Sequence, residues 1–284
     1  MAKESSAKVF NQKLIVTSLV AGLLLMIVNS AIWVNQQVFD TKNFTNTAVT
    51  AISSESSRKA IGGSITDQIL RDNPVVKNIA GDQLTNLFSG LLGTDQANKL
   101  LTATVTRLQI YVTSSNQKDV DIDLSGLKDT LTRVAEIRGG DQPSRINPDK
   151  IPSKIVLIES KNVPNLYNYG VILTWVAVGG FVIAGLLLAK PYMSDRSKYL
   201  SIMIVQGASF ILVGLVSLLI GPIFRPSVLE PFQNPNGRVV VGNLYNAFIA
   251  TFNSQTMIFI WLGIGLIALS IVIRLAPKVL KYKK

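Results

Sequence analysis

Residues 14–34 read LIVTSLVAGLLLMIVNSAIWV, a run of 21 residues without one charge. A helix needs about 20 apolar residues to cross the hydrocarbon of a bilayer, so this run is long enough to span. Three more runs follow: Tyr169–Ala189, Leu200–Ile220 and Met257–Ile273, again without Asp, Glu, Lys or Arg. The last is short, but the uncharged stretch from Val239 onward can lengthen it. The expected fold is mainly α: four transmembrane helices and a large extracytoplasmic helical domain that carries a small two-stranded β element.

The rest of the layout follows from these spans. Residues 1–13 form a cytoplasmic N-terminus, 35–168 the extracytoplasmic domain and 190–199 a cytoplasmic loop. Residues 221–256 form a second extracytoplasmic loop with an amphipathic helix, and 274–284 a basic cytoplasmic tail. Lysines ahead of an apolar run that reaches Val28-Asn29-Ser30 also fit a signal peptide cut after Ser30. The run continues through Ala31, Ile32, Trp33 and Val34, which favours an uncleaved helix with Trp33 as an interfacial anchor.

The net charge is +11, and its placement orients the chain. Lys3, Lys8 and Lys13 stand against Glu4 before the first span. Lys190, Arg196 and Lys198 stand against Asp195 between the second and third. Arg274, Lys278, Lys281, Lys283 and Lys284 stand unopposed in the tail. Residues 36–168 nearly balance, with 15 basic and 14 acidic side chains. Short basic loops stay in the cytoplasm, so both termini are expected there, in a multi-pass protein of the cell membrane. Basic residues along one membrane face suit anionic headgroups. No aromatic-basic interleaving points to nucleic acid.

The chain holds no Cys and no His. That removes disulfides, the usual zinc, haem and iron–sulfur ligands, and the commonest general base. No cofactor is expected.

Asp40 or Thr41 opens a helix to about Ile52, and a second runs from Ser57 to Leu70 with Gly62-Gly63 in its middle. That glycine pair implies a kink or a close backbone approach. Asn73-Pro74 marks a boundary. From Asp82, Leu84, Leu87, Phe88, Leu91 and Leu92 form a helical stripe that stops at Gly93. A further helix starts at Thr94 or Asp95 and places Leu101, Val105, Leu108 and Val112 on one side. Strand candidates are 119–124 and 154–158, with a short helix from Ser125 between them. The second outer loop, with Pro222, Pro226, Pro231 and Pro235, reads as extended before a helix that leads into the fourth span.

Candidate sites are sparse. Asp119, Asp121 and Asp123 share one strand face and could hold Ca²⁺, but a calcium loop needs glycine where Leu124 stands and glutamate where Thr130 stands. A solvated strand face without metal is expected. Gly139-Gly140 and Gly179-Gly180 lack phosphate-loop context; the latter pair lets helices pack closely. Asn29, Thr174, Gln206, Ser209 and Ser217 are the polar residues of the spans, suited to hydrogen bonds between helices. No catalytic, cofactor-binding or metal-ligating residue is assigned.

The stretch FDTKNFTNTAVTAISSESSRKAIGGSITDQIL, with DVDIDLSGL and IPSKIVLIESKNVPNLYNYG further on, resembles a family of uncharacterised four-pass membrane proteins common in actinobacteria. The resemblance implies the same span layout and a bacterial envelope setting, and brings no activity with it. The expected function is therefore that of a non-enzymatic envelope protein whose outer domain binds a protein, polymer or lipid. Membrane lipids and a protein partner or second copy are its expected contacts. The alternatives are a subunit of a transport or channel assembly and an outer-face enzyme using Asp, Glu or Ser.

Overall fold

The computed structural model describes residues 2–71, 74–115, 120–123, 154–158, 165–194 and 198–281. It is mainly helical. The elements are α1 (Ala2–Val34), a π-helical turn (Asn35–Phe39), α2 (Thr41–Ile52), α3 (Glu55–Ile69), α4 (Pro74–Leu92), α5 (Asp95–Thr113), β1 (Val120–Asp123), β2 (Lys154–Ile158), α6 (Tyr167–Ser194), α7 (Tyr199–Leu218), α8 (Ile220–Leu229) and α9 (Pro235–Lys281). Four helical stretches are long and apolar enough to cross a membrane: Gln12–Phe39, Tyr167–Ser194, Tyr199–Leu229 and Pro235–Leu275. The chain divides into two compact units.

The first unit comprises Met1–Gln36, Val171–Val228 and Phe248–Lys284. Its helices are apolar all round, as membrane helices are. Leu25, Ala184 and Phe210 are buried together, with Leu24, Leu188, Phe259 and Leu266 packed on them. α7 and α9 touch backbone to backbone. A Cβ on Gly207 would stand 2.7 Å from the Gly263 carbonyl oxygen, and one on Gly263 2.5 Å from that of Gly207. Lipid offers no hydrogen bonds, so buried polar groups must find partners within the protein. The Asn29 amide donates to Thr256 Oγ1 at 3.3 Å, and Gln255 Nε2 donates to Asn29 Oδ1 at 2.9 Å. Trp33 Nε1 donates to Thr251 Oγ1 at 2.9 Å, and Ser270 Oγ to the Leu200 carbonyl at 2.9 Å. Gln206 donates to the Leu188 carbonyl and accepts from Tyr192 Oη.

The second unit comprises Gln37–Gly170 and Leu229–Ala247. Its helix starts are legible in their caps. Asp40 accepts from the Asn43 amide, Ser54 from Ser57 and Thr94 from Ala97; each side-chain oxygen satisfies one orphan amide. α3 packs on α4, and α2 on α5. Gly62 is the point of closest approach: a Cβ there would lie 2.8 Å from the Thr85 carbonyl oxygen. Of the two sequence readings for this glycine pair, close approach is the one seen at Gly62. β1 pairs antiparallel with β2, Asp121 opposite Val156 and Asp123 opposite Lys154.

Two expectations are corrected. α4 begins at Pro74 rather than near Asp82, because proline at a first helical position loses no hydrogen bond. The stretch after the third span is helical rather than extended: α8 covers Ile220–Leu229 and contains Pro226. Pro222 sits in its first turn, where the amide has no partner in any case, so Pro226 alone removes a bond. The chain turns at Leu229–Phe232, where the Phe232 amide donates to the Leu229 carbonyl. It restarts at Asn234, whose side chain accepts from the amides of Asn236 and Gly237.

Candidate functional site

Three features of the second unit carry its chemistry. The first is a knot of hydroxyls and amides. Asn243 Nδ2 donates at 2.8 Å to Ser56 Oγ and at 2.8 Å to Ser57 Oγ, and lies 3.4 Å from Ser54 Oγ. Ser54 and Ser57 each donate to the Ala51 carbonyl at 2.8 Å. Ser57 is fully buried. The first turn of α3 is thus fastened to α9 by neutral hydrogen bonds. At its rim, Lys59 Nζ stands 2.7 Å from Glu55 Oε1. The hydrogen bond and charge of Lys59 hold the exposed Glu55 carboxyl below its ordinary value.

A second knot joins α2 to α5. Thr41 donates to Gln109 Oε1 at 2.8 Å, and Gln109 Nε2 to the Val38 carbonyl at 2.9 Å. Thr45 and Thr106 share a bond at 3.1 Å, and Ser53 donates to Asn98 Oδ1 at 2.8 Å.

The third feature is the tip of the α3–α4 hairpin. Ile69, Val75 and Ile79 are 54%, 69% and 77% exposed. Three large aliphatic side chains are thus exposed near one turn. Asp67 and Lys77 bridge the two helices beside them at 2.7 Å, both half exposed. Arg71 and Asp82 are exposed nearby in sequence. The rim therefore carries both signs of charge.

The residues singled out in the sequence fall in different places. Asp119 and residues 124–153 lie outside the described residues, and so do the side chains of Asp121 and Asp123; Gly139-Gly140 falls there too. Among the described residues no cluster of metal-ligating side chains occurs. Gly180 packs on Val28, while a Cβ on Gly179 would meet nothing within 4 Å. Asn29, Gln206, Ser209 and Ser217 are buried and bonded within the first unit. Thr174 accepts from Asn35. Sequence reasoning missed Asn243, Gln109 and the exposed tip. The signal for the tip was PVV at 74–76 followed by Ile79, an apolar start to a helix whose stripe faces elsewhere. The chain matches no protein-family model, no curated protein and no solved structure.

Proposed function

We propose that this chain is a non-enzymatic four-pass protein of the cell envelope whose extracytoplasmic unit binds a protein partner. The exposed tip formed by Ile69, Val75 and Ile79 carries this reading. An apolar centre with a rim of both charge signs suits a protein surface. A lipid-binding face would enrich its rim in Lys and Arg. The basic segments 1–13, 190–199 and 274–284 support cytoplasmic termini and therefore an outward second unit. The transport alternative draws less support: Asn29, Gln255 and Thr256 bond to one another rather than line a path.

The test is a photo-reactive residue at position 79 of the full chain in intact cells. A discrete protein adduct is expected, and Ile79→Asp should abolish recovery of that protein from solubilised membranes. Adducts to lipid alone, or an undiminished recovery with Ile79→Asp, would overturn the proposal. The side chain is 77% exposed, and exposed substitutions usually change stability by less than about 0.5 kcal/mol. A folding defect would therefore not mimic the expected result.

A further inference from the structure

The seam between α1 and α6 holds two hollows. One is a recess of about 420 Å³ with Lys13, Thr17, Lys190 and Ser194 in its wall. The other is an apolar groove of about 480 Å³ lined by Leu24, Ile27, Trp175, Gly179 and Ile183 among others. On α1, positions 13, 17, 24 and 27 recur at steps of four, seven and three, so they share one face. On α6, positions 194, 190, 183 and 179 do the same. The hollows therefore lie along one seam. The groove is open at Gly179, where a Cβ would meet nothing within 4 Å.

At 1.5 Å per residue, Ile183 lies about 10 Å and Gly179 about 16 Å along α6 from Lys190. One leaflet of hydrocarbon is about 15 Å deep, half of the 30 Å core. A cationic recess thus gives way to an apolar groove over the depth of one leaflet. Lysines near helix ends extend toward the headgroup level. Among the described residues, the ion pairs are Lys59–Glu55 and Lys77–Asp67, so neither Lys13 nor Lys190 is neutralised there. We infer that this seam seats an anionic phospholipid, its phosphate between Lys13 and Lys190 and one acyl chain in the groove toward Gly179. A zwitterionic lipid would bring an ammonium group to the same two lysines. A free phosphate would leave the groove empty.

The proposal rests on the membrane-spanning reading and is independent of the α3–α4 tip. The test is native mass spectrometry of the full chain in detergent, titrated with phosphatidylglycerol or with phosphatidylcholine of identical acyl chains. Preferential retention of phosphatidylglycerol is expected. Lys13→Gln and Lys190→Gln should each weaken it about fivefold, the effect of one cation near an anionic membrane surface. Arg274→Gln, at the same end of the bundle, should not weaken it. Gly179→Leu should fill the groove and lower retention with both lysines intact. Inorganic phosphate at the same concentration should not compete. Equal retention of the two lipids would overturn the proposal. So would a loss with Arg274→Gln matching that of the lysines, no effect of Gly179→Leu, or displacement by phosphate. A protein not recovered from the membrane fraction would instead fail the spanning reading itself.

Discussion

Gln109 shows how a single residue escapes a pattern and still governs the packing around it. The apolar stripe of α5 runs through Leu101, Val105, Leu108 and Val112, yet its buried residues are Val105, Gln109 and Tyr111. The core face is rotated by about one position, and the buried Gln109 amide is satisfied by two partners. Gln109→Leu leaves the Val38 carbonyl and the Thr41 hydroxyl without that partner, which costs about 1–3 kcal/mol. Thermal unfolding of the second unit should fall by several degrees with no loss of helix by circular dichroism. Leu108, which the stripe placed at the centre, is half-buried; Leu108→Ala should therefore cost less than the 2–5 kcal/mol of a fully buried leucine. Caps, by contrast, were readable in part: Asp40 and Thr94 were each one of two candidates, while the second helix, expected from Ser57, is capped by Ser54 and starts at Glu55. Asp40, Ser54 and Thr94 act on amides three residues away, and so no tertiary knowledge is needed.

At the level of the elements, the four spans were legible and their contacts were not. Length and lack of charge identify a membrane helix without reference to its neighbours. Which glycine meets another backbone depends on how each helix is rotated against its partner. The conspicuous pair Gly179-Gly180 supplies one contact, through Gly180. The tightest crossing, Gly207 on Gly263, joins residues 56 positions apart that no local pattern links. Small residues at such crossings let dispersion forces act at short range. Gly263→Leu should thus lower the melting temperature of the detergent-solubilised chain sharply, by overpacking against a rigid backbone. Gly265→Leu should leave it nearly unchanged, since a Cβ at Gly265 meets nothing within 4 Å. Equal effects at the two positions would contradict the crossing. The prolines around α8 misled for a related reason. Their cost depends on position within the turn, and Pro222 and Pro235 both fall where a missing amide is harmless.

For the whole molecule, the chain's lack of cysteine makes topology directly measurable. Single cysteines at Lys99 and Gln233 should react with a membrane-impermeant thiol reagent in intact cells, and one at Lys281 should react only after lysis. Labelling at 281 from outside would invert the arrangement. The second unit is assembled from two separate stretches of sequence, 37–170 and 229–247. Asn243 in the second stretch holds the first turn of α3 in the first. A fragment of residues 37–170 alone should consequently unfold at a lower temperature than the same fragment supplied with a 229–247 peptide, and the added peptide should protect the Ser57 amide from hydrogen exchange. This has a consequence for biosynthesis. Chains grow at about 5–20 residues per second and fold as they emerge. The ribosome reaches Asn243 only about 70 residues after the first stretch is complete, several seconds later and after two further spans have been made. Until then the buried Ser57 has no amide to meet it. Ribosome stalling or termination anywhere in that interval leaves an incompletely closed unit, a natural mark by which a protease could distinguish a nascent chain from a finished one.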